Sequence, residues 1–209
     1  MTQDFVVADP HFNHANILRY ANRPFSSIEE HNETLIDNWN SIVPKNGTVR
    51  ILGDFAWSDH NHFLQRLNGR KILVVGSHDR MPQEVLRNFT EVHPGGAMLN
   101  IGNHQFYCDH TCHRVWEKGH YGVGHLFAHS HARLETYNMS GDVGVDSDLM
   151  YKKYFPNPLE NIIAFMNLRA AEMEKAGRTR DERGKRLYFQ DDVWWLKNGK
   201  NAELELNAP

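Results

Sequence analysis

Five short segments of the chain end in side chains that commonly bind metal ions. The five sets are Asp9 with His11, Asp54, His78 with Asp79, His110, and His129 with His131. Four of them directly follow apolar runs rich in β-branched and aromatic residues, which is the pattern of buried strands. If those strands pair side by side in one sheet, their ligands converge on one rim. The pattern therefore predicts a hydrolase site that holds two metal ions.

Two cations suit the hydrolysis of phosphate esters, which resist attack because hydroxide meets an anion. Bound cations generate hydroxide, orient the ester and neutralise charge in the transition state. Asp54 follows a buried strand and Gly53, a place that suits a carboxylate bridging two ions. Asp9 and His11 lie two residues apart on an extended segment, so both side chains can share one ion. Oxygen-plus-imidazole sites favour Mn, Fe, Zn or Ni over Ca.

Helices and strands alternate around these segments in the first half of the chain. Ser27 and Glu30 form a capping box that predicts a helix ending at Pro44. Further helices are predicted over residues 59–68 and 82–89. This strand–helix alternation indicates an α/β class.

After Pro94 the pattern changes to strands, at residues 97–101 and 105–108, with a hairpin turn at Gly102. The second half therefore favours antiparallel β structure. From Pro158 an apolar stripe at helical spacing predicts a helix whose first half packs on the core. A charged linker and an aromatic tail follow it, and the tail is expected to dock on the core or on another subunit.

Composition narrows the class of protein. The 209 residues suffice for one domain, and 40% hydrophobic with 23% charged residues is typical of a soluble protein. The net charge of -3 gives no global attraction to nucleic acid. The sequence has no signal-peptide pattern and no membrane span, so we expect a cytoplasmic protein. Cys108 and Cys112 are expected to be reduced thiols, and a zinc site built from them with nearby histidines is the alternative.

The ordered set Asp-x-His, Gly-Asp, Gly-x-His-Asp, His and His-x-His resembles the calcineurin-like metallophosphoesterase superfamily. Residues 12–14, 22–25, 66–69 and 142–146 also resemble small microbial and phage members. The resemblance implies an α/β protein with a four-layer α/β/β/α sandwich over residues 1–157. Residues 158–209 then form the C-terminal helix, linker and tail, through which a homo-oligomer is possible.

The resemblance also implies roles for the individual side chains. One ion is held by Asp9, His11, Asp54 and His131, and a second by Asp54, His110 and His129. A hydroxide bridging two divalent ions, Mn²⁺ first and Fe, Zn or Ni as alternatives, attacks phosphorus in line. His78 protonates the leaving oxygen and Asp79 orients it. His14 and Arg23 contact the substrate.

Two positions depart from the family pattern. Ser77 stands where the family has an asparagine that binds the second ion and helps to hold phosphate. Its oxygen lies one bond closer to the backbone, so its reach falls short by about 1 Å, whereas metal bonds tolerate only a few tenths. The second site is therefore expected to be weakened. Ala128 replaces a glycine, which is a milder change.

Several interpretations remain open at this point. The favoured function is hydrolysis of a small phosphodiester or a nucleotide, with long nucleic acid disfavoured and no membrane partner. The rival is a catalytically silent interaction scaffold, supported by Ser77 and an aromatic tail containing Trp194 and Trp195. A one-metal hydrolase is a third reading. His78 could instead be a buried histidine whose Asp79 anchors a turn, His110 could be structural, and Trp116 with Arg114 could stack on a nucleotide or serve the core.

Overall fold

The computed structural model describes residues 3–175, which form a mixed α/β fold with two sheets. The strands are β1 (Asp4–Val7), β2 (Thr48–Leu52), β3 (Arg70–Val74), β4 (Glu91–His93), β5 (Ala97–Ile101), β6 (His104–Cys108), β7 (Gly124–Phe127), β8 (Ser140–Asp142) and β9 (Asn157–Pro158). The helices are α1 (Ile17–Tyr20), α2 (Ile28–Ile42), α3 (His60–Arg66), α4 (Gln83–Leu86) and α5 (Leu159–Lys175), with a 3-10 turn at Gly119–Tyr121. The class predicted from the sequence is thus confirmed.

The first sheet has the strand order β4-β3-β2-β1-β9. Strands β1 to β4 are parallel, and the short β9 pairs antiparallel with β1. Val7 lies opposite Ile51, which lies opposite Leu73, so the carboxyl ends of β1, β2 and β3 reach one edge. The loops after these three strands carry the first three sets of candidate ligands.

The second sheet has the order β5-β6-β7-β8 and corrects two expectations. Only β5 and β6 form the predicted antiparallel hairpin; β6, β7 and β8 are parallel, because long connections return the chain to the same edge. The strands before His110 and His129 therefore belong to this sheet and not to the first. The expectation that a single sheet carries all five ligand segments was therefore wrong.

Contacts between the two sheets nevertheless bring their carboxyl edges together. Ala8 forms a parallel bridge with Gly144, and Val145 N donates to Ala8 O at 3.0 Å. The backbone N–H of His129 donates to Asp9 Oδ2 at 2.8 Å. Ligand loops from both sheets consequently meet at one place.

Two apolar clusters hold the first sheet from both faces. On one face, residues of α2, α3 and α4 form a cluster with the strands that includes Trp39 and Val7. On the other, Val6 and Leu52 join a cluster with the second sheet and with Met166 of α5. Adjacent strand residues alternate between the clusters, as the two-residue strand period requires. The ligand loops therefore start from strands that are buried on both sides.

The helix predictions agree with the structure near their starts. Ser27 caps α2, and its Oγ accepts from Glu30 N at 3.1 Å, while the Glu30 carboxylate accepts from Ser26 rather than from Ser27. Helix α4 is shorter than predicted, and α5 begins at Leu159 as expected. None of the helices in residues 3–175 combines the length and apolarity needed to cross a bilayer. The predicted linker and aromatic tail lie outside the described residues.

Candidate metal centre

Two groups of candidate ligand atoms meet at the junction of the sheets and share Asp54. In each group the ligand atoms all lie within 4.8 Å of one another. The first group is Asp9, His11 and Asp54, and the second is Asp54, His110 and His129. These match the sets expected from the sequence except for His131. All of these side chains but His129 belong to buried residues.

His131 borders the first group. Its Nδ1 lies 3.8 Å from Asp9 Oδ2, and its ring centroid lies 5.4 Å from that of His11. The same Nδ1 forms a hydrogen bond with Asp146 Oδ2 at 2.8 Å. A hydrogen bond on one imidazole nitrogen leaves the other, Nε2, as the nitrogen available to an ion.

The backbone is strained where the ligands sit. Of the six predicted metal ligands, all but His110 have positive φ: Asp9 54°, His11 51°, Asp54 54°, His129 66° and His131 49°. Non-glycine residues seldom adopt this left-handed conformation, and such strain concentrates at functional sites. The fold therefore holds these side chains in positions that local backbone preference disfavours.

Two glycines allow the ligand loops to approach each other. Gly53 has a φ of 86°, and a Cβ there would lie 2.5 Å from His110 Nδ1. A Cβ on Gly76 would lie 2.5 Å from both the backbone nitrogen and Oδ1 of Asp54. Any side chain at either position would displace a candidate ligand.

Two atoms of the first group have no hydrogen-bond partner. Asp9 Oδ1 and His11 Nε2 are both buried and unsatisfied. Leaving a buried polar atom without a partner costs about 1–3 kcal/mol. A cation between these atoms would satisfy both, since carboxylate oxygen and imidazole nitrogen are ordinary ligands of first-row metals. The residues present thus fit the implied metal centre.

Burial and mutual interaction shift the pKa values of the side chains in this cluster. Burial raises the pKa of Asp9 to about 7 and lowers the pKa of His11 to about 2. Burial would also lower the pKa of His110, but hydrogen bonding to Asp54 and the nearby Asp9 charge raise it to about 9. Burial opposes ionisation of Asp54 too, yet the hydrogen bond with His110 holds the pKa of Asp54 well below its usual range. A metal ion bound at Nε2 of His110 would replace the proton on that nitrogen.

His110 is already oriented as a ligand. Its Nδ1 donates to Leu52 O at 2.9 Å, and its Nε2 lies 3.3 Å from Asp54 Oδ2. A backbone hydrogen bond on one ring nitrogen fixes the tautomer that presents the other to an ion. Cys108 beside it is fully buried, and burial raises the pKa of its thiol to about 12. No cluster containing a cysteine emerges as a metal group among residues 3–175.

Arg23 supports the Asp9 loop from inside the protein. Its guanidinium pairs with Asp146 through two hydrogen bonds of 2.9 and 2.8 Å. It also donates to Asp9 O at 2.7 Å and Pro10 O at 3.0 Å, and lies 2.8 Å from His31 Nε2. All five N–H donors are thereby used, and the side chain is buried. The expected substrate contact does not fit this placement.

Asp146 connects Arg23 with His131, because one of its oxygens accepts from both. We expect Asp146→Asn to weaken metal binding at the first group by about 10–100-fold, the usual effect of losing the partner of a ligating histidine. Calorimetric titration of the folded variant with Mn²⁺ measures this. Asp148→Asn, at an exposed position, is the control and is expected to bind like the wild type. Unchanged affinity in Asp146→Asn would remove His131 from the ligand set.

Asp79 has a different role from the one expected. Its carboxylate accepts the backbone N–H groups of Asp54 at 2.9 Å, Phe55 at 2.8 Å and Gly76 at 2.8 Å. Both oxygens are used in joining two ligand loops, and the side chain points inward, so it does not orient His78. These hydrogen bonds do not fit the expected orienting role and agree with the turn-anchoring part of the alternative.

His78 lies at the open side of the centre. Its side chain is 45% exposed, and its Nε2 is 4.0 Å from Asp54 Oδ2. Its backbone N–H donates to Asp54 Oδ1 at 2.8 Å. The alternative of a buried, satisfied histidine is contradicted by this exposure. Ser77 Oγ lies 3.4 Å from Asp54 Oδ2 and 3.5 Å from His110 Nε2, so the serine faces the second group.

Two further aromatic side chains of the second half of the chain serve the core. His125 is buried; its Nδ1 lies 3.0 Å from Tyr107 O, and its Nε2 accepts from His113 N at 3.0 Å. Trp116 is 9% exposed, and its Nε1 donates to Val123 O at 2.7 Å. Its burial favours the core-packing alternative for Trp116, although Trp116 and Arg114 both line a cavity of about 170 Å³.

A cavity of about 750 Å³ lies at the opposite end of the first sheet. Asp4, Thr48 and Arg70, at the starts of β1, β2 and β3, contribute to its lining. The candidate ligands lie at the carboxyl ends of the same strands. The metal centre is consequently a separate feature of the molecule.

Comparison with known proteins gives relatives but no activity. No model of a known protein family matches the chain. The chain is 42% identical over 89 residues to the uncharacterized protein MJ1445 of Methanocaldococcus jannaschii, covering 40% of this chain and 51% of that protein. It is 33% identical over 85 residues to the gene 66 protein of Mycobacterium phage L5, covering 38% and 41%. The matches thus span about half the length of these relatives or less.

One solved structure is similar in fold. The crystal structure of AQ665 from Aquifex aeolicus, a protein of unknown function, matches 78% of this chain and 98% of its own with a TM-score of 0.63. The sequence identity is 21%, so the similarity concerns the fold alone.

Proposed function

We propose that this protein is a divalent-metal-dependent phosphoesterase of the calcineurin-like metallophosphoesterase type. The observation that carries the proposal is the pair of ligand groups sharing one buried carboxylate, Asp54. The buried atoms Asp9 Oδ1 and His11 Nε2 support it, since a cation would satisfy both of them.

The four-layer α/β/β/α sandwich that the resemblance implies belongs to the same proposal. Helices α2 to α4 cover the outer face of the first sheet, which supports one helical layer. Side chains of α5 contact the second sheet: a Cβ on Gly124 would lie 3.2 Å from Met166 Sδ, and one on Gly141 would lie 2.7 Å from Phe165. These contacts support α5 as the outer layer on that side.

The proposed reaction is hydrolysis of a phosphate ester at the open side of the centre. Two bound divalent cations, Mn²⁺ first and Fe, Zn or Ni as alternatives, would supply a hydroxide nucleophile and neutralise the charge of the phosphate. Asp54 holds the ligand groups together, and Asp79 fixes the backbone on either side of them. The exposed imidazole of His78 donates a proton to the leaving oxygen.

A small phosphodiester or nucleotide is the proposed substrate class, hydrolysed in the cytoplasm. The competing scaffold function draws on Ser77 and on a tail outside the described residues. A scaffold does not account for five strained ligands and two unsatisfied buried atoms, which a metal site explains together. A one-metal hydrolase differs from the proposal only in the second group, which Ser77 faces.

Hydrolysis of p-nitrophenyl phosphate and bis-p-nitrophenyl phosphate, with added Mn²⁺, Fe²⁺, Zn²⁺ or Ni²⁺ in turn and after chelation, tests the proposal. We expect Mn²⁺-dependent turnover that chelation abolishes and that is greater for the diester. Absence of turnover with every one of the four metals would contradict the enzymatic function and favour the scaffold.

Ser77→Asn is expected to strengthen the second metal site and to speed hydrolysis. The longer amide brings an oxygen about 1 Å further toward Asp54 and His110, and one added ligand of tenfold effect corresponds to about 1.4 kcal/mol. We expect at least about tenfold tighter binding of the second Mn²⁺, measured by calorimetric titration.

Ser41→Asn is the matched control, because Ser41 lies exposed on α2 and its hydroxyl donates to Asn38 O. It is expected to leave both affinities unchanged. If Ser77→Asn also left them unchanged, the serine would not be the cause of a weak second site.

A further inference from the structure

A row of aromatic rings leads from the metal centre to the surface. The ring of the candidate ligand His11 lies 5.2 Å from that of His14. His14 in turn stacks on Trp57, with centroids 4.6 Å apart and planes at 16°. Trp57 is 58% exposed, although one of its faces is covered by His14. A large aromatic side chain thus lies open to solvent at the mouth of the centre.

His78 is adjacent to every ring of this row. Its ring centroid lies 5.6 Å from His11, 5.9 Å from His14 and 5.8 Å from Trp57. The side of the centre where the leaving oxygen is protonated therefore faces the exposed indole. A group attached to that oxygen would extend past His78 in the direction of Trp57.

The backbone of Trp57 is fixed to the ligand loops. Its N–H donates to Phe12 O at 2.8 Å, and Phe12 forms a parallel bridge with Ala56. Phe12 follows the ligand His11 directly, and Trp57 lies three residues after Asp54. The indole is consequently held in register with the metal ligands rather than on a separate loop.

Tyr20 is a second exposed ring beside His14. It is 52% exposed, and its ring contacts His14 edge-on at 6.3 Å. The guanidinium of Arg19 lies 5.2 Å from the centre of the Tyr20 ring, and Arg133 donates to Tyr20 O. The mouth of the site therefore combines flat aromatic surface with positive charge, which suits an anionic ligand carrying a planar group.

We propose that Trp57, backed by His14, stacks on the nucleobase of the substrate, so that the phosphoesters hydrolysed here are nucleotides. This inference rests on the proposed phosphoesterase function and specifies its substrate class. Stacking on an exposed indole recognises any base, because every base has an aromatic face. The site thereby selects nucleotides as a class without selecting one base.

The position of Trp57 favours a ring that is not attached directly to phosphate. The indole lies one ring beyond His14, counted from the ligand His11, whereas His78 lies beside all three. An aryl group bonded to the phosphate oxygen would meet His78 before it reached Trp57. A base separated from the phosphate by a sugar reaches further out, toward the indole.

Binding to the Mn²⁺-loaded protein tests this inference without depending on turnover. The probes are adenosine 5′-monophosphate, ribose 5-phosphate and phenyl phosphate. We expect the nucleotide to bind about tenfold more tightly than ribose 5-phosphate, a ratio within the range of one base–aromatic stack. In Trp57→Ala the ratio falls to near one while ribose 5-phosphate binds as before, and in Trp57→Phe most of the ratio returns. Tyr121→Ala, at an exposed tyrosine packed on His120, keeps the wild-type ratio.

Three results would overturn the inference. They are a ratio near one in the wild type, a ratio that survives Trp57→Ala, and a loss of phenyl phosphate binding in Trp57→Ala as large as the loss of nucleotide binding. Hydrolysis of nitrophenyl esters together with a nucleotide-to-ribose 5-phosphate binding ratio near one would remove this inference and leave the phosphoesterase function standing. A ratio near ten without hydrolysis of any ester would support binding of the base at Trp57 and contradict the phosphoesterase function.

Discussion

Asp54→Asn is expected to lose Mn²⁺ at both sites and to hydrolyse phosphate esters at least about 1,000-fold more slowly, equivalent to about 4 kcal/mol of transition-state stabilisation. Asp54 alone belongs to both ligand groups, so its change affects both ions. The amide is neutral, whereas a bridging ligand must offer negative charge to two cations. The loss should appear in both metal content and kcat.

The substitution is suited to test function rather than folding. Asparagine has the same shape as aspartate and tolerates the left-handed conformation that residue 54 adopts. Asp59 provides a matched control, since it has the same φ of 54° and lies on the exposed start of α3. Asp59→Asn is expected to retain metal and activity. Two ions bound to a folded Asp54→Asn would contradict the shared-ligand arrangement.

His78→Gln is expected to lower kcat by about 100- to 10,000-fold for esters with alkyl alcohol leaving groups, the usual range for loss of a general acid. Because His78 is 45% exposed, the substitution should affect neither folding nor metal affinity. Nitrophenolate is stable without a proton, so the loss for nitrophenyl esters should be much smaller. Steady-state kinetics with one alkyl ester and one nitrophenyl ester measure the difference in kcat.

The dependence on leaving group separates acid catalysis from a binding role. If His78 only held the phosphate, both ester classes would slow equally and KM would rise. His62→Gln, at an exposed histidine of α3, is the control and is expected to leave both rates unchanged. An equal loss for both classes would exclude His78 as the proton donor.

The sequence predicted the local structure around the ligands because local rules determine it. Apolar runs specified β1, β2 and β3, and the Ser27 cap specified the start of α2. The ligand groups around Asp54 were anticipated from the resemblance to metallophosphoesterases, which the order of the motifs carries. The structure assembled them from two sheets rather than one, because strand pairing depends on contacts distant in sequence.

Other features depend on three-dimensional contacts that no local pattern reveals. Arg23 was expected at the substrate, yet its five donors are used by groups as distant in sequence as Asp146. Asp79 was expected to orient its neighbour, yet it accepts from three backbone N–H groups on two loops. Trp57 was not predicted as a site residue, although its place three residues after Asp54 indicated that it lies near the ligands. Its stacking on His14 appears only when the loops after β1 and β2 meet.

The most direct test of the metal centre is the number of metal ions bound per chain, measured by elemental analysis on protein purified without chelator and then equilibrated with Mn²⁺. Two ions at saturation are predicted, with the second bound more weakly because Ser77 faces its ligands. Asp54→Asn prepared in parallel should bind none. A wild-type chain that binds no metal under these conditions would contradict the account.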